Sequence, residues 1–376
     1  IELLRPGGTI SFISSNKWFR ANYGAKLRKY VADTCRVISI TDFGELPVFE
    51  SVATFPMIFI AQKGIKGDSV TIFTQVKTLG APYPDVKAVI QQNGAALPVS
   101  AMKGERWLLT DTASMSRLER MEGSGTPLSR YVQDQIFYGI KTGLDEAFVI
   151  DGTTRLKMLS ENSECERVIK PYIFGDNVRR WRTNFPDRYL LYMYHGVSVQ
   201  DIGNVLEYLM PFRSKLEGRA TKQAWYELQQ PSLRHETAFS NPKIVYPEIA
   251  KERRFTFDEV GIYPNKTVFM IPSSDLFLLG VLNSACAWEY LKHICSVLGD
   301  AEKGGRLTLQ TVYLSKLPVP NAHTEDRTAI ADLARLCLDA KGVGCEEWEW
   351  EINERVARLY GHDAPTSIFR KGEQNV

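Results

Sequence analysis

No stretch of this 376-residue sequence approaches the ~20 consecutive apolar residues that cross a bilayer, so no membrane-spanning helix is expected. An excess of one charge is missing too. The 46 Lys and Arg against 44 Asp and Glu leave a formal +2, which argues against a histone-like tail or a polybasic membrane patch as the main device. Nucleic acid stays open, because a local basic stripe matters more than the sum. Cys35, Cys165, Cys286, Cys295, Cys337 and Cys345 fall at irregular spacings with no Cys-x-x-Cys, and the 5 histidines stand singly. Neither set makes a zinc pattern or a disulfide framework, so the cysteines are expected to be reduced, buried small hydrophobes of a cytoplasmic protein. An initiating Met and a signal peptide are absent before Ile1-Glu2-Leu3-Leu4, and the piece reads as cut from something longer.

Reaction motifs are wanting as well. There is no Gly-x-Gly-x-x-Gly, and Gly139-Ile140-Lys141-Thr142-Gly143 lacks the upstream glycine of a phosphate loop. No His-Glu-x-x-His or Gly-x-Ser-x-Gly occurs, and no Ser-x-x-Lys constellation stands out as a nucleophile site. What is present is ordinary globular composition, 44% apolar and 24% charged, in a length that suggests two or three domains of roughly 150 residues. The charge is uneven: residues 321–376 hold 11 acidic and 7 basic residues, a net of −4, so the remainder carries +6.

Residues 1–63 alternate in the α/β manner. Leu3-Leu4 would close a helix, Arg5-Pro6-Gly7-Gly8 a turn, and Thr9 to Ile13 a strand. Lys17 to Asp33 reads as a helix with Trp18, Leu27 and Val31 inward, followed by strands at Val37 to Ile40 and Pro56 to Ala61 that pair across their loop. This is the closing part of a doubly wound sheet without its front half, so an open edge is expected, with the first 60 residues poorly ordered or paired to another copy. Residues 64–127 read as a connecting α/β segment, with a strand at Ser69 to Thr74 and helices at Tyr83 to Gln92 and Thr112 to Glu122. Gly123-Ser124-Gly125-Thr126-Pro127 and Leu317-Pro318-Val319-Pro320 are breakers around a mixed α/β domain, 128–320. Its β-rich runs are Gln135 to Ile140, Tyr189 to Tyr194, Lys243 to Glu248 and Thr267 to Ile271, and its longest helices Ser198 to Glu217 and Ser274 to Leu298. A helical tail, 321–376, follows, with Trp348, Trp350, Ile352, Val356 and Leu359 suited to pack on protein.

An ordered series of short motifs resembles a known family. Leu3-Leu4-Arg5-Pro6-Gly7-Gly8, Phe12-Ile13, Trp18, Gly24-Ala25-Lys26-Leu27-Arg28, Asp42-Phe43-Gly44 and Val48-Phe49 resemble the closing part of an N6-adenine DNA methyltransferase of the class fused into type IIG restriction–modification enzymes. Gly139 to Gly143, Ile169-Lys170-Pro171, Arg180-Trp181, Trp225-Tyr226-Glu227-Leu228, Pro242-Lys243-Ile244-Val245, Leu282-Asn283-Ser284 and Leu317 to Pro320 are similar to their TaqI-like C-terminal specificity domain. The resemblance implies the C-terminal part of a Rossmann-like methyltransferase sheet, then a mixed α/β DNA-specificity domain and a short helical tail. It implies a target-recognition portion acting on double-stranded DNA, with S-adenosylmethionine used by the parent enzyme. No Asn-Pro-Pro-Tyr loop occurs here, since the one Asn-Pro, Asn241-Pro242, is followed by Lys243. The chain alone is therefore expected to bind no cofactor and to catalyse nothing, and the missing methyltransferase region, with any nuclease, becomes its partner.

Two sets of residues follow as candidates. Phe49, in the polar loop of Glu45 and Glu50, matches the place where related enzymes stack an aromatic on the flipped adenine; packing under the loop is the alternative. Duplex reading calls for basic and amide side chains on a shaped surface. Candidates are Lys141 and Thr142, Arg179 and Arg180, then Arg213, Arg219 and Lys222, and finally Lys303 and Arg306. Plainer readings stand beside them: a structural cation–π pair at Arg180-Trp181, a solvated helix face at 213–222, and Trp225 as a core anchor. The rival functions are a freestanding specificity subunit serving a separate methyltransferase, and an RNA or small-molecule methyltransferase relative.

Overall fold

Strand-forming runs near the N-terminus assemble into one five-stranded sheet, wider than the three strands expected. In the computed structural model, which describes residues 1–20, 22–44, 46–49, 55–64, 70–79, 85–102, 107, 109–110, 112–232, 236–295, 297–298 and 305–362, the strands are β1 (Thr9–Ser15), β2 (Cys35–Asp42), β3 (Pro56–Lys63), β4 (Thr71–Gln75) and β5 (Ala95–Leu97). Their order is β1-β3-β2-β4-β5. As expected, β2 and β3 pair antiparallel across their loop; β3 pairs with β1 in the same sense, and β4 joins β2 in parallel. Among the described residues β1 has no neighbour on its outer side, and Phe12 is 59% exposed there. This sheet belongs to the first of two compact units, residues 1–123 with 290–308.

Two local expectations fail in this unit. Leu3-Leu4 is not the end of a helix: Leu4 N–H donates to the Ile1 carbonyl (3.0 Å) in a turn. The stretch 17–33 is not one helix but Lys17–Arg20, a 3-10 turn at Asn22–Gly24 and a helix Ala25–Thr34. The conformation at the break requires glycine. A Cβ at Gly24 would lie 2.0 Å from the Trp18 carbonyl oxygen, which also accepts from the buried Arg28 guanidinium. The break resets the helical face, so Phe19, Arg28 and Val31 point inward while Leu27 is 44% exposed. Trp18 is half-buried, its ring 5.8 Å from Phe59 and 5.7 Å from Trp107.

The second unit, residues 124–289 with 309–376, holds two four-stranded sheets. One runs Tyr263–Pro264, Ile169–Ile173, Arg188–Leu191, Val149–Asp151; the other Thr256–Asp258, Lys243–Pro247, Val268–Ile271, Phe137–Tyr138. Every residue of Lys243–Pro247 is buried, which is why that run reads as continuously apolar apart from its lysine. The two breaker segments pair with each other: Gly125–Pro127 lies antiparallel to Pro318–Pro320. Both long helices are interrupted. Pro211, which cannot donate a backbone hydrogen bond, falls in a 3-10 turn between Gly203–Leu209 and Arg213–Glu217. The second stops at Leu282 because the Asn283 amide pairs with the Phe255 backbone in both directions (2.9 and 3.3 Å); a new helix starts at Ala285.

The tail forms two helices, Thr324–Asp339 and Glu346–Leu359. They pack on each other and on the helix Leu276–Leu282, where a Cβ at Gly280 would meet the Ile330 side chain at 2.5 Å. Ile352 and Val356 are buried as expected and Trp348 and Leu359 are half-buried, but Trp350 is 48% exposed. The inward stripe instead continues through Asn353, which accepts from Ala285 N–H (2.7 Å), and Ala357. All six cysteines are free and buried. Among the described residues no helix is long and apolar enough to cross a membrane.

Candidate nucleic-acid interface

The segment Gly139 to Gly143 is held from both sides. Toward one neighbour, Gly139 N–H donates to Val268 (3.0 Å), Ile140 N–H to Pro264 (2.8 Å), and Lys266 N–H returns to Ile140 (2.9 Å). Toward the other, Lys141 and Gln230 exchange both backbone hydrogen bonds (3.1 and 2.9 Å), and Gln229 N–H reaches Thr142 (3.1 Å). Glycine is required at position 139, because a Cβ would lie 2.2 Å from the Pro264 carbonyl oxygen, and at 143, where φ is +84°. Ile140 and Thr142 are buried, so alternation turns the Lys141 side chain to the opposite face. Among the described residues the side chains of Lys141, Gln230 and Lys266 have no hydrogen-bond or ionic partner, and Gln230 and Lys266 are exposed.

The remaining basic candidates divide sharply by what they already hold. Thr142 is 3% exposed and its hydroxyl donates to the Asp145 carboxylate. Arg219 donates to the carbonyls of Leu216 (2.9 Å), Thr142 (3.3 Å) and Trp225 (2.9 Å), and burial lowers its pKa, an effect partly offset by Glu227. Arg213 pairs with Glu217 (2.7 Å) and lies 5.3 Å over the half-buried Trp225 ring. Trp225 itself packs against the core of the unit. Arg179 turns back on the Asp176 and Val178 carbonyls (2.5 and 3.0 Å). Arg180 pairs with Glu349 of the tail (3.0 Å), which also accepts from the buried Trp181 indole (2.6 Å). Lys222 is exposed and has no side-chain partner among the described residues. In the first unit Arg306 is exposed on the strand Arg306–Thr308, while Lys303 lies outside the described residues.

Phe49 follows a turn organised by Asp42, whose Oδ1 accepts from Asn16 Nδ2 (2.8 Å) and Gly44 N–H (2.9 Å), with Gly44 at φ +56°. The Phe49 ring is 46% exposed.

Sequence reasoning missed Gln230 and Lys266. Nothing local marks them, since each becomes notable only when its strand is laid against Gly139 to Thr142. The reason for the Pro242-Lys243-Ile244-Val245 motif was equally hidden. Lys243 is buried against Asp258 and donates to the Phe239 carbonyl (2.6 Å); Asp258 also accepts from Val260 N–H (3.1 Å) and Ile262 N–H (2.8 Å). Burial lowers the Lys243 pKa, and the Asp258 charge works against that shift.

Residues 170–319 match the family model of the TaqI-like C-terminal specificity domain, and residues 1–49 that of the Eco57I restriction-modification methylase. The chain is 24% identical over 397 residues to the type II methyltransferase M.PaeR7I of Pseudomonas aeruginosa, an alignment covering 99% of this chain and 65% of that protein. It is 24% identical over 384 residues to M.BanIII of Aneurinibacillus aneurinilyticus, covering 89% and 64% respectively. The chain thus spans just under two thirds of the curated relatives it matches. Among solved structures, the type IIL restriction-modification enzyme MmeI in complex with DNA shares the fold, with a TM-score of 0.61 at 14% identity over 95% of this chain and 47% of that one.

Proposed function

We propose, starting from a chain that carries a TaqI-like specificity domain match behind a restriction-modification methylase match, that it is the DNA target-recognition portion of a site-specific adenine-N6 methyltransferase from a bacterial restriction–modification system. The observation that carries this reading is the specificity-domain match over residues 170–319, which includes Gln230 and Lys266, the exposed residues laid against the pinned segment that carries Lys141 just ahead of the match. Double-stranded DNA is the partner: cations of this kind meet phosphates and position the duplex, and neighbouring polar groups read base edges. Phe49, half exposed beyond the Asp42 turn, stacks on the adenine once it leaves the helix. The working compartment is the cytoplasm, in keeping with six unpaired cysteines.

Chemistry is assigned elsewhere in this reading. S-adenosylmethionine supplies the methyl group, but the sequence holds neither the glycine-rich cofactor turn nor an Asn-Pro-Pro-Tyr loop, so the cofactor belongs to the catalytic region of the parent enzyme. The test is a binding titration of the 376-residue chain against duplex DNA, paired with a labelled-methyl assay. Affinity should fall about tenfold or more between 50 and 200 mM salt, by counterion release from several phosphates. No methyl transfer should occur without an added catalytic region. Absence of duplex affinity at 50 mM salt refutes the recognition role, and unaided turnover refutes the assignment of chemistry.

A further inference from the structure

We propose that Gln230 is a base-reading residue that, beside Lys141, sets the identity of one base pair in the recognised sequence; the inference rests on the DNA-recognition reading above. Lys141 and Gln230 exchange both main-chain hydrogen bonds, which makes them a directly opposed antiparallel pair. The side chains of such a pair stand next to each other on one face. That face is the outer one, because Ile140 and Thr142, on either side of Lys141, are buried and Gln230 is exposed. An amide with a free donor and a free acceptor is the group that pairs with both N6 and N7 of adenine in the major groove, and an ammonium beside it meets a phosphate or guanine.

Several asparagine amides of the unit are engaged. Asn162 accepts from Glu164 N–H (3.0 Å) and donates to the Asp201 carbonyl (2.7 Å), Asn283 is tied to Phe255, and Asn265 joins Thr267 N–H (2.9 Å) to the Tyr172 hydroxyl (3.3 Å). Gln230 has no such side-chain partner among the described residues. Its backbone, by contrast, is fixed by Lys141, and the adjoining Thr142 carbonyl takes both Gln229 N–H and Arg219. A reader mounted on a main chain that cannot relax gives up little freedom on binding, and its geometry is set in advance. Lys266, exposed next to the Asn265–Ile140 bridge, adds a second cation beside the same segment.

The experiment selects preferred duplexes from a random-sequence pool with the full 376-residue chain, then measures binding to the recovered site and to its single-base-pair variants. Gln230→Ala should flatten the preference at one base pair by about tenfold or more while leaving affinity for unrelated duplex within about twofold. Gln230→Arg should move the preferred base there to guanine. Lys141→Ala should weaken all sequences and reduce the salt slope by about one. If the alanine variant melts early, Gln230→Glu, the isosteric carboxylate, carries the same test. A Gln230 variant that keeps every base preference overturns this inference and leaves the recognition reading standing. A wild-type chain without duplex affinity, or with affinity but no base preference, overturns both.

Discussion

Lys243 shows how much a single side chain can commit. Its ammonium is fully covered, sharing its protons between the Asp258 carboxylate and the Phe239 carbonyl, so the strand Lys243–Pro247 is anchored at its first residue. Removing one member of a buried ion pair strands the other, at a cost of about 3–5 kcal/mol, whereas replacing both by apolar groups can recover most of it. Lys243→Met should therefore lower the denaturation free energy by about that amount, and Lys243→Met with Asp258→Leu should restore a large part; urea titrations of the three proteins measure this. A single variant within ~1 kcal/mol of the parent would show that the pair anchors nothing.

Tyr131 makes a pH-dependent counterpart. Burial, and then its hydrogen bond to Asp275 (2.5 Å), raise its pKa to about 12, while Arg327 (2.8 Å) pulls the other way. A raised acid keeps its proton longer folded than unfolded, so its stabilising contribution is complete below pH 10 and is lost as pH climbs from about 10 through about 12. Melting temperatures across that interval should fall less steeply in Tyr131→Phe than in the parent. Parallel curves would rule the linkage out.

At the scale of elements, the tail hairpin is attached by named contacts rather than by apolar packing alone. Glu349 takes the Trp181 indole and the Arg180 guanidinium together, and Arg182 donates to the Lys341 carbonyl (3.0 Å). Trp181 reaches this position with φ at +66°, a conformation that its tertiary partners must hold in place. Glu349→Ala leaves a buried indole N–H without an acceptor and should cost about 1–3 kcal/mol, read as an earlier thermal transition. An unchanged transition would mean the tail is held by other contacts. The element scale is also where reading the sequence reached furthest. The β2–β3 pair, the four β-rich runs of the second unit and both tail helices were visible in apolar periodicity. Errors came where a contact outside the helix intervened. Leu27 and Trp350 point outward, while the Trp18 carbonyl, from the preceding helical turn, and the Ala285 amide, far away in sequence, meet the opposite face of each helix.

At the scale of the whole molecule, the small net charge conceals an acidic tail of −4 beside a remainder of +6, so the proposed duplex affinity would have to come from a local surface. Of the basic residues that composition offers, many are already engaged: Arg180, Arg213 and Arg219 hold the protein to itself. In the proposed reading, the salt dependence of binding falls to cations of the second unit that have no partner among the described residues, Lys141, Lys222 and Lys266 among them.

The one-dimensional order of residues carries the family resemblance and most of the strand and helix runs, because glycines, prolines, apolar periodicity and short motifs act through local backbone geometry. Only the tertiary structure decided which basic side chains are spent and which stand free, and that Lys141 has Gln230 beside it. A hydrogen-bond partner is chosen by proximity in space, and residues 89 positions apart carry no mark in the chain of meeting across one pair of backbone bonds.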